Sequence, residues 1–503
     1  QILTLNAGKK KAQDLKDFQQ KLGTLGFLDP ACGCGNFLVV SYRELRELEL
    51  KVLLAIRKDE PPKTQVMDVR LLSKVTINQF YGIELEEFPV EIARVSMWLM
   101  EHVMNLKFGE AFGLVFPSIP LQNSAEIVCA NALLIDWSNF VSQEKICFIL
   151  GNPPFAGSRM MSNEQKEQLV HTAKNLKNAK LLDYVAAWFV KAADFIDGTE
   201  IQVGFVSTNS ICQGEQVYPL WSYIFGKQFT INFAYQTFKW RNEAKNNAAV
   251  FCIIIGFGAP RNARFLFKTS SATSEHTKIS VKEINPYLHD SRCVIIYPSS
   301  AKLSAINDIY FGNMPRDGGN LILEPEELEQ FLDKEPSARP YVRKLLGSVE
   351  FLHNINRYCL WLTKADENIL KLPEIHKRIC KVKEMRLASK AKSTKQFAQT
   401  PHLFCQITQH EDNPFLLVPR VSSERRQYIP IGFMNKETIV TDLVYIIPNA
   451  THYDFAIITS SMHMSWMRTV CGRLKSDYRY SRDLCYNTFP WPTPSTQQKK
   501  HIE

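Results

Sequence analysis

The chain has 503 residues and a formal net charge of +9, from 60 Lys and Arg against 51 Asp and Glu, with a sequence pI of about 8.8. That length is too great for one hydrophobic core and implies two domains or three. The hydrophobic share of 45% is ordinary for a soluble globular protein, no stretch has the length of an uncharged membrane span, and the mild basicity suits a polyanionic partner without identifying one.

The twelve cysteines follow no framework spacing, and Cys147 and Cys252 lie in apolar strand-like runs, which fits a reducing cytosol better than a secreted scaffold. The chain opens Gln1-Ile2-Leu3, without Met or signal pattern, and ends Lys499-Lys500-His501-Ile502-Glu503. A piece of a longer protein is expected.

Residues Ala7 to Leu22 are Lys-rich and periodic at helical spacing, and Gly26 to Asp29 reads as a short buried strand. A Gly/Cys turn leads to a helix from Phe37 to Ile56, then a solvated loop, Lys58 to Gln65. Phe80 to Glu84 reads as a strand, Ile92 to Leu106 as a helix, and Ile146 to Leu150, Val203 to Val206 and Val250 to Ile255 as further strands. Strands alternating with helices over this length predict a doubly wound α/β sheet. Near Thr269 a polar stretch without periodicity begins. Beyond it come short β-rich runs, Val294 to Tyr297, Leu416 to Val418 and Ile439 to Ile447, broken by a Lys/Arg-dense helical segment, Ile375 to Lys395. The expected boundaries are a first domain over 1–275, a linker over 276–300 and a mixed α/β domain over 301–503.

Asp29-Pro30-Ala31-Cys32-Gly33-Cys34-Gly35-Asn36-Phe37 is a strand–turn–helix with glycines at the turn. Gly33 and Gly35 allow φ > 0 and keep side chains away from a ligand, and the following helix offers free N–H groups. The spacing matches neither the P-loop nor the dinucleotide fingerprint, and alone it describes any tight βα turn. Glu84, at the end of the next strand, adds a carboxylate able to accept both hydrogen bonds of a ribose diol. Asp136, in Asn131-Ala132-Leu133-Leu134-Ile135-Asp136-Trp137, is a third acceptor, suited to an exocyclic amine or equally to a helix N-cap. Two cysteines flank Gly33, but no partner Cys/His pair lies at zinc spacing, so no metal is expected.

Asn152-Pro153-Pro154-Phe155 follows an apolar strand. The lone pair of an aromatic amine is delocalised into its ring, which makes the amine a poor nucleophile. Two acceptors, the Asn152 side-chain oxygen and the Pro153 carbonyl, would favour a pyramidal nitrogen and stabilise the charge that builds as the amine is alkylated. Phe155 can stack on a base flipped from a duplex.

These motifs, in this order, resemble those of gamma-class DNA adenine-N6 methyltransferases. With the segments Phe311 to Leu323, Tyr358 to Leu362, Val418 to Arg426 and Arg473 to Pro492, the chain resembles the methyltransferase and target-recognition portions of MmeI-like type II restriction–modification proteins. The resemblance implies a class I S-adenosylmethionine-dependent methyltransferase, with a Rossmann-like doubly wound sheet, followed by a mixed α/β target-recognition domain. It also implies a cytoplasmic bacterial or archaeal protein that methylates adenine N6 in specific double-stranded DNA, has no membrane partner, and carries a fused N-terminal nuclease in its full-length form. Asp29, Ala31, Gly33, Gly35, Asn36, Phe37, Glu84 and Asp136 would bind S-adenosylmethionine, with Glu84 on the ribose and Asp136 on the adenine. Asn152, Pro153, Pro154 and Phe155 would hold the target base. Asp183-Tyr184, Gly204 to Asn209 and Phe238 to Phe257 resemble later motifs, and Trp240 would support the flipped base unless it is a core aromatic. An upstream segment that helps close the family's cofactor pocket is not identified in Gln1 to Leu25.

For DNA contact, the basic run Lys377, Arg378, Lys381, Lys383, Arg386, Lys390, Lys392 and Lys395 offers phosphate neutralisation, Lys381 and Lys383 foremost. Arg420, Glu424, Arg425 and Arg426 supply side chains that read base edges. Arg473, Lys475 and Arg479 mix charge with Tyr478. The alternatives are a cytosine-N4 methyltransferase, an RNA or protein methyltransferase sharing the Asn-Pro-Pro motif, and a non-catalytic DNA-specificity module.

Overall fold

The computed structural model describes residues 9–59, 72–113, 125–240, 250–269, 276–409 and 413–502. The chain divides into two compact units, Gln1–Cys212 with Gln216–Ile295, and Gln213–Glu215 with Ile296–Glu503.

The first unit is built on nine strands: β1 (Phe27–Asp29), β2 (Phe80–Glu84), β3 (Glu126–Cys129), β4 (Phe148–Gly151), β5 (Gln202–Thr208), β6 (Thr230–Trp240), β7 (Val250–Gly258), β8 (Arg264–Thr269) and β9 (His276–Val281). Their order is β3-β2-β1-β4-β5-β7-β6-β8-β9. β1 to β5 run parallel, β7 is antiparallel to both β5 and β6, and β8 lies parallel to β6. The helices are α1 (Lys9–Leu22), α2 (Asn36–Asp59), α3 (Glu87–Phe112), α4 (Trp137–Phe140), α5 (Asn163–Thr172), α6 (Ala186–Phe195) and α7 (Val217–Gly226).

Alternate strand residues feed two separate cores, as a doubly wound sheet requires. Phe27, Phe80 and Ile127 pack with Leu38 and Tyr42 of α2 and Ala93 and Met97 of α3. Leu28, Ile83 and Ile149 pack on the other face with Phe189 of α6 and Leu220 of α7. Between α2 and α3 the buried Arg46 donates to Asn105 Oδ1 (2.9 Å) and the Val75 carbonyl (3.1 Å), and its guanidinium lies 4.2 Å from the Phe108 ring centre. These contacts replace the water that the charge gives up.

The strand order reverses between β1 and β4. In open α/β sheets that reversal opens a crevice at the carboxyl ends of the strands.

Several elements depart from expectation. α3 runs well past Ile92 to Leu106, because Gly113, at φ +69°, caps it in the left-handed conformation. β6 and β8 were not anticipated. His276–Val281, expected in the linker, is the ninth strand: it pairs antiparallel with β8, and Lys278 caps the ring of Phe265 at 3.8 Å. Val294 to Tyr297 is no strand, and both of those residues are more than half exposed. Most of the loop Lys58 to Gln65, and 270–275 of the polar stretch, lie outside the described residues.

Among its described residues the second unit holds two four-stranded sheets and one of three strands. Leu416 to Val418 falls within the strand Phe415–Pro419, at the middle of one four-stranded sheet, and is wholly buried. Ile439 to Ile447 divides into the strands Ile439–Val440 and Val444–Pro448. The basic helical segment breaks at Ser389 into Pro373–Ala388 and Lys392–Gln396.

Two members of the basic run are structural. Arg386 is fully buried and donates to the carbonyls of Pro315, Arg316, Phe397, Thr400 and Leu403 at 2.8–3.1 Å. Arg378 donates to the carbonyls of Asn320 and Ile322 and pairs with Glu327. Neither is free to meet a phosphate. Lys381 and Lys383, by contrast, are exposed. Among the described residues no helix is long and apolar enough to cross a membrane.

A candidate active site at the carboxyl edge of the parallel strands

β1 ends at Asp29 and β2 at Glu84, and the turn after β1 folds back on that neighbour. The Cys32 N–H donates to the Ile83 carbonyl (3.1 Å), and the Gly33 N–H donates to Glu84 Oε2 (2.8 Å). Gly33 and Gly35 have φ of +53° and +84°, the conformation expected of them. A Cβ on Gly35 would lie 3.0 Å from the Cβ of Ala93, so glycine there also lets α3 pack close. Glu84 Oε1 accepts the Glu86 N–H at 3.2 Å, and the carboxylate keeps lone pairs for a ligand.

β4, on the other side of β1, ends in Gly151. A Cβ there would stand 2.5 Å from Asp29 Oδ1, so a larger residue at 151 would require the Asp29 carboxylate to shift. Asp29 is buried beneath this contact. Burial, reinforced by the charge of Glu84, pushes its carboxyl up to about 7, against the opposing pull of the Ala31 N–H on Oδ1 (3.0 Å).

A cavity of about 600 Å³ opens above these strand ends. Its walls include Pro30 and Ala31 from the turn, Glu84 to Glu86 after β2, Ala130 to Ala132 after β3, and Asn152 and Pro154 after β4. Ser162, Glu164, Gln165, Gln168, Tyr184 and Trp188 complete the wall.

Asn152 is half-buried, and its Oδ1 is buried without a hydrogen-bond partner. An unmatched buried acceptor costs roughly 1–3 kcal/mol, and such cost concentrates at ligand sites. Phe155 is half-buried against the α6–α7 core, while Pro153 is buried.

Of the anticipated cofactor residues, Ala31 and Glu84 line the cavity. Asp29, Gly33, Gly35, Asn36 and Phe37 lie at the end of β1, in the turn after it and at the start of α2, and are not in the cavity wall. Asp136 does not line it: its side chain caps α4, accepting the Ser138 N–H at 3.0 Å, the alternative role open to an aspartate before a helix. Asn131, five residues earlier in the same motif, lines the cavity instead, with its Oδ1 accepting the Leu133 N–H (2.9 Å).

The α5 wall was missed entirely. Its sequence signal is the capping box Ser162-Asn163-Glu164-Gln165, in which Ser162 and Gln165 bond each other's backbone N–H. Trp188 donates from its indole to the Pro30 carbonyl (3.1 Å), and Tyr184 bonds Gln168.

Trp240, at the end of β6, is 38% exposed beside Phe238 and is not a core aromatic. Residues 241–249 of its motif lie outside the described residues.

In the second unit, two sequence clusters meet in the three-stranded sheet. Val421–Ser422 pairs with Asp477–Arg479, which forms a hairpin with Gly472–Leu474. Lys475 sits in the hairpin turn at φ +58°. Arg473 lies 4.3 Å from the Tyr478 ring centre and 3.9 Å from Glu424. Glu424, Arg425, Lys475 and Arg479 are exposed, and Arg426 is half-buried. Arg420 is anchored, donating to the Asp442 carbonyl (2.6 Å) and lying over Phe311 at 4.8 Å.

The buried carboxyl makes a pH prediction. Folded Asp29 keeps its proton up to about pH 7, whereas an unfolded aspartate releases it near pH 4. The folded state therefore binds more protons across that window, and stability falls as pH rises through it. Urea unfolding from pH 4 to 8 should show this slope reduced in Asp29→Asn; equal slopes in the two proteins would refute the assignment.

Comparison with known proteins gives the family. The family described as MmeI, DNA-methyltransferase domain, matches residues 5–268, and the MmeI target recognition domain matches residues 290–493. DNA methyltransferase A of Bacillus subtilis (strain 168) is 41% identical over 495 residues, 97% of this chain and 55% of that protein. A putative type II restriction enzyme and methyltransferase of Methanocaldococcus jannaschii is 28% identical over 156 residues, covering 29% of this chain and 12% of its own length. The solved structure of the type IIL restriction–modification enzyme MmeI in complex with DNA superposes with a TM-score of 0.89 at 46% identity, covering 97% of this chain and 65% of that one. The chain thus spans little more than half of the curated relative and about two thirds of the solved one. The fused nuclease expected upstream finds no support in these matches. The chain belongs to the MmeI family, as a DNA-methyltransferase domain followed by a target recognition domain.

Proposed function

We propose that this chain transfers a methyl group from S-adenosylmethionine to the N6 amine of an adenine flipped out of a specific double-stranded DNA sequence, as the modification activity of a restriction–modification system. The observation that carries this reading is the buried, unpartnered Oδ1 of Asn152, a residue in the wall of the cavity that also holds Glu84.

The residues present fit the donor. Glu84 would accept from its ribose hydroxyls, and Asn131, in place of Asp136, would meet its adenine edge. The carboxylates of Glu84, Glu86 and Glu164 favour a cationic ligand. When bound, S-adenosylmethionine supplies an activated methyl group on a sulfonium, whose loss as a neutral thioether drives the transfer.

The protein's part is positioning. The Asn152 oxygen and the Pro153 carbonyl accept the two N–H bonds of the target amine and stabilise positive charge as it forms on nitrogen. Phe155 stacks on the extruded base, and Trp240 supports it. The methylated amine then releases one proton to solvent, and no side chain with a tuned acidity is required.

In the recognition domain, the exposed Glu424 and Arg425 and the half-buried Arg426, with Arg473, Lys475 and Arg479 of the three-stranded sheet, supply base-edge and phosphate contacts. Lys381 and Lys383 neutralise phosphates. Arg420 holds this surface in place.

Incubation with plasmid DNA and labelled donor, followed by hydrolysis to nucleosides, should yield N6-methyladenine. Asn152→Ala should abolish turnover while leaving donor binding nearly intact, since the lost acceptor acts in the transition state. N4-methylcytosine as product, or full activity of the variant, would overturn the assignment.

The two DNA-facing groups should also separate. Glu424→Gln should change which sites are methylated, because each base-edge contact carries about 1–3 kcal/mol of discrimination. Replacing Lys381 and Lys383 with Gln should weaken binding to all DNA and flatten its salt dependence. Sequencing methylated libraries distinguishes the two; an unchanged site in Glu424→Gln would remove base readout from this segment.

A further inference from the structure

We propose that Asp183 is the positioning residue that holds the amine-accepting loop 152–156 in register with the cavity. This rests on the reading of that loop given above.

Asn152 Oδ1 has no partner, so no hydrogen bond to that oxygen fixes the loop in the absence of substrate. The loop is fixed instead at its far end. The Ala156 N–H donates to Asp183 Oδ1 (3.0 Å), and the Ala156 carbonyl accepts the Tyr184 N–H (2.9 Å). Both polar groups of one peptide residue are thereby tied to two consecutive residues 27 and 28 positions away.

Asp183 is itself over-determined. It is 3% exposed. Besides Ala156, its Oδ1 accepts the Val185 N–H (3.4 Å), and its Oδ2 faces the hydroxyls of Thr208 (3.0 Å) and Ser210 (3.2 Å), which also bond each other (2.5 Å). Its own N–H donates to Gln216 Oε1 (2.9 Å). Two N–H groups and the Thr208–Ser210 hydroxyl pair converge on one carboxylate.

The partners lie on separate elements. Thr208 ends β5, the strand beside β4; Ser210 follows it; and Val185 immediately precedes α6. Asp183 therefore references the loop to the sheet and to α6 together. Tyr184, next in sequence, lines the cavity and bonds Gln168 of α5, so one dipeptide sets both the loop and the opposite wall. None of Asp183's bonds reaches the cavity, and it is not in its wall. It acts through Ala156, by keeping the Asn152 oxygen and Pro153 carbonyl where the amine must sit.

The test pairs hydrogen exchange with kinetics. In Asp183→Ala, the peptide containing Ala156 should exchange at least about tenfold faster, while peptides from β1 and β2 stay as in wild type. Single-turnover methylation should slow by roughly 10–100-fold with the dissociation constant for S-adenosylmethionine unchanged, as expected when acceptors lose alignment. Asp183→Asn, which keeps Oδ1 for the two N–H groups and offers an amide that the hydroxyls can accept, should recover most of the rate. Should Asp183→Ala fail to fold, the double variant Thr208→Val, Ser210→Ala frees the carboxylate and should give the same split at smaller amplitude. Wild-type exchange at Ala156, an unchanged rate, or loss of donor affinity in step with the rate would each overturn the proposal. A wild-type chain that methylates no DNA would overturn the functional reading instead, while the exchange comparison still decides the clamp.

Discussion

The site depends on one close approach. β1 and β4 lie side by side where the strand order reverses, and the Asp29 carboxylate fills the space that a Cβ on Gly151 would take. Any larger residue at 151 would bring its Cβ against the Asp29 carboxylate and displace it. With glycine, the turn after β1, which binds Glu84 through Gly33, and the turn after β4, which carries Asn152, open onto the same cavity. Proximity of a donor pocket and an acceptor loop is the larger part of what methyl transfer needs from a protein.

The contact strains the charge it covers. Asp29 is buried next to another carboxylate, and its acidity falls accordingly. The cavity rim carries further acid groups and an unmatched amide oxygen. Such groups cost stability in the free protein and are retained where a ligand satisfies them. The surrounding sheet supplies the compensation, with two aromatic-rich cores gripping alternate residues of the same strands.

Much of this was legible in the sequence, for physical reasons. Tight turns need glycine, so Gly33 and Gly35 announce the β1 turn, and Asn152-Pro153-Pro154-Phe155 is too constrained to be ordinary loop. Glu84 ends an apolar run and so marks a strand end. Asp136 and Asn131 were harder, because both sit in one motif and an aspartate before a helix serves equally as ligand or cap. In the fold Asn131 lines the cavity and Asp136 caps α4. Arg386 and Arg378 were unreadable among the lysines around them, since burial of an arginine depends on carbonyls supplied by segments as far off as Pro315. The α5 wall shares that property: Gln168 and Tyr184 meet only through the fold. β6, β8 and β9 escaped because half-buried strands on the antiparallel side carry mixed polar and aromatic residues rather than continuous apolar runs.

The central claim is that the donor sits between Glu84 and Asn152 at the carboxyl edge of the sheet. Calorimetric titration of S-adenosylmethionine into wild type and Glu84→Ala tests it most directly. The account predicts binding in wild type and a loss of about 1–3 kcal/mol in the variant, the cost of a missing buried hydrogen-bond partner. Equal affinity in the two proteins would contradict it.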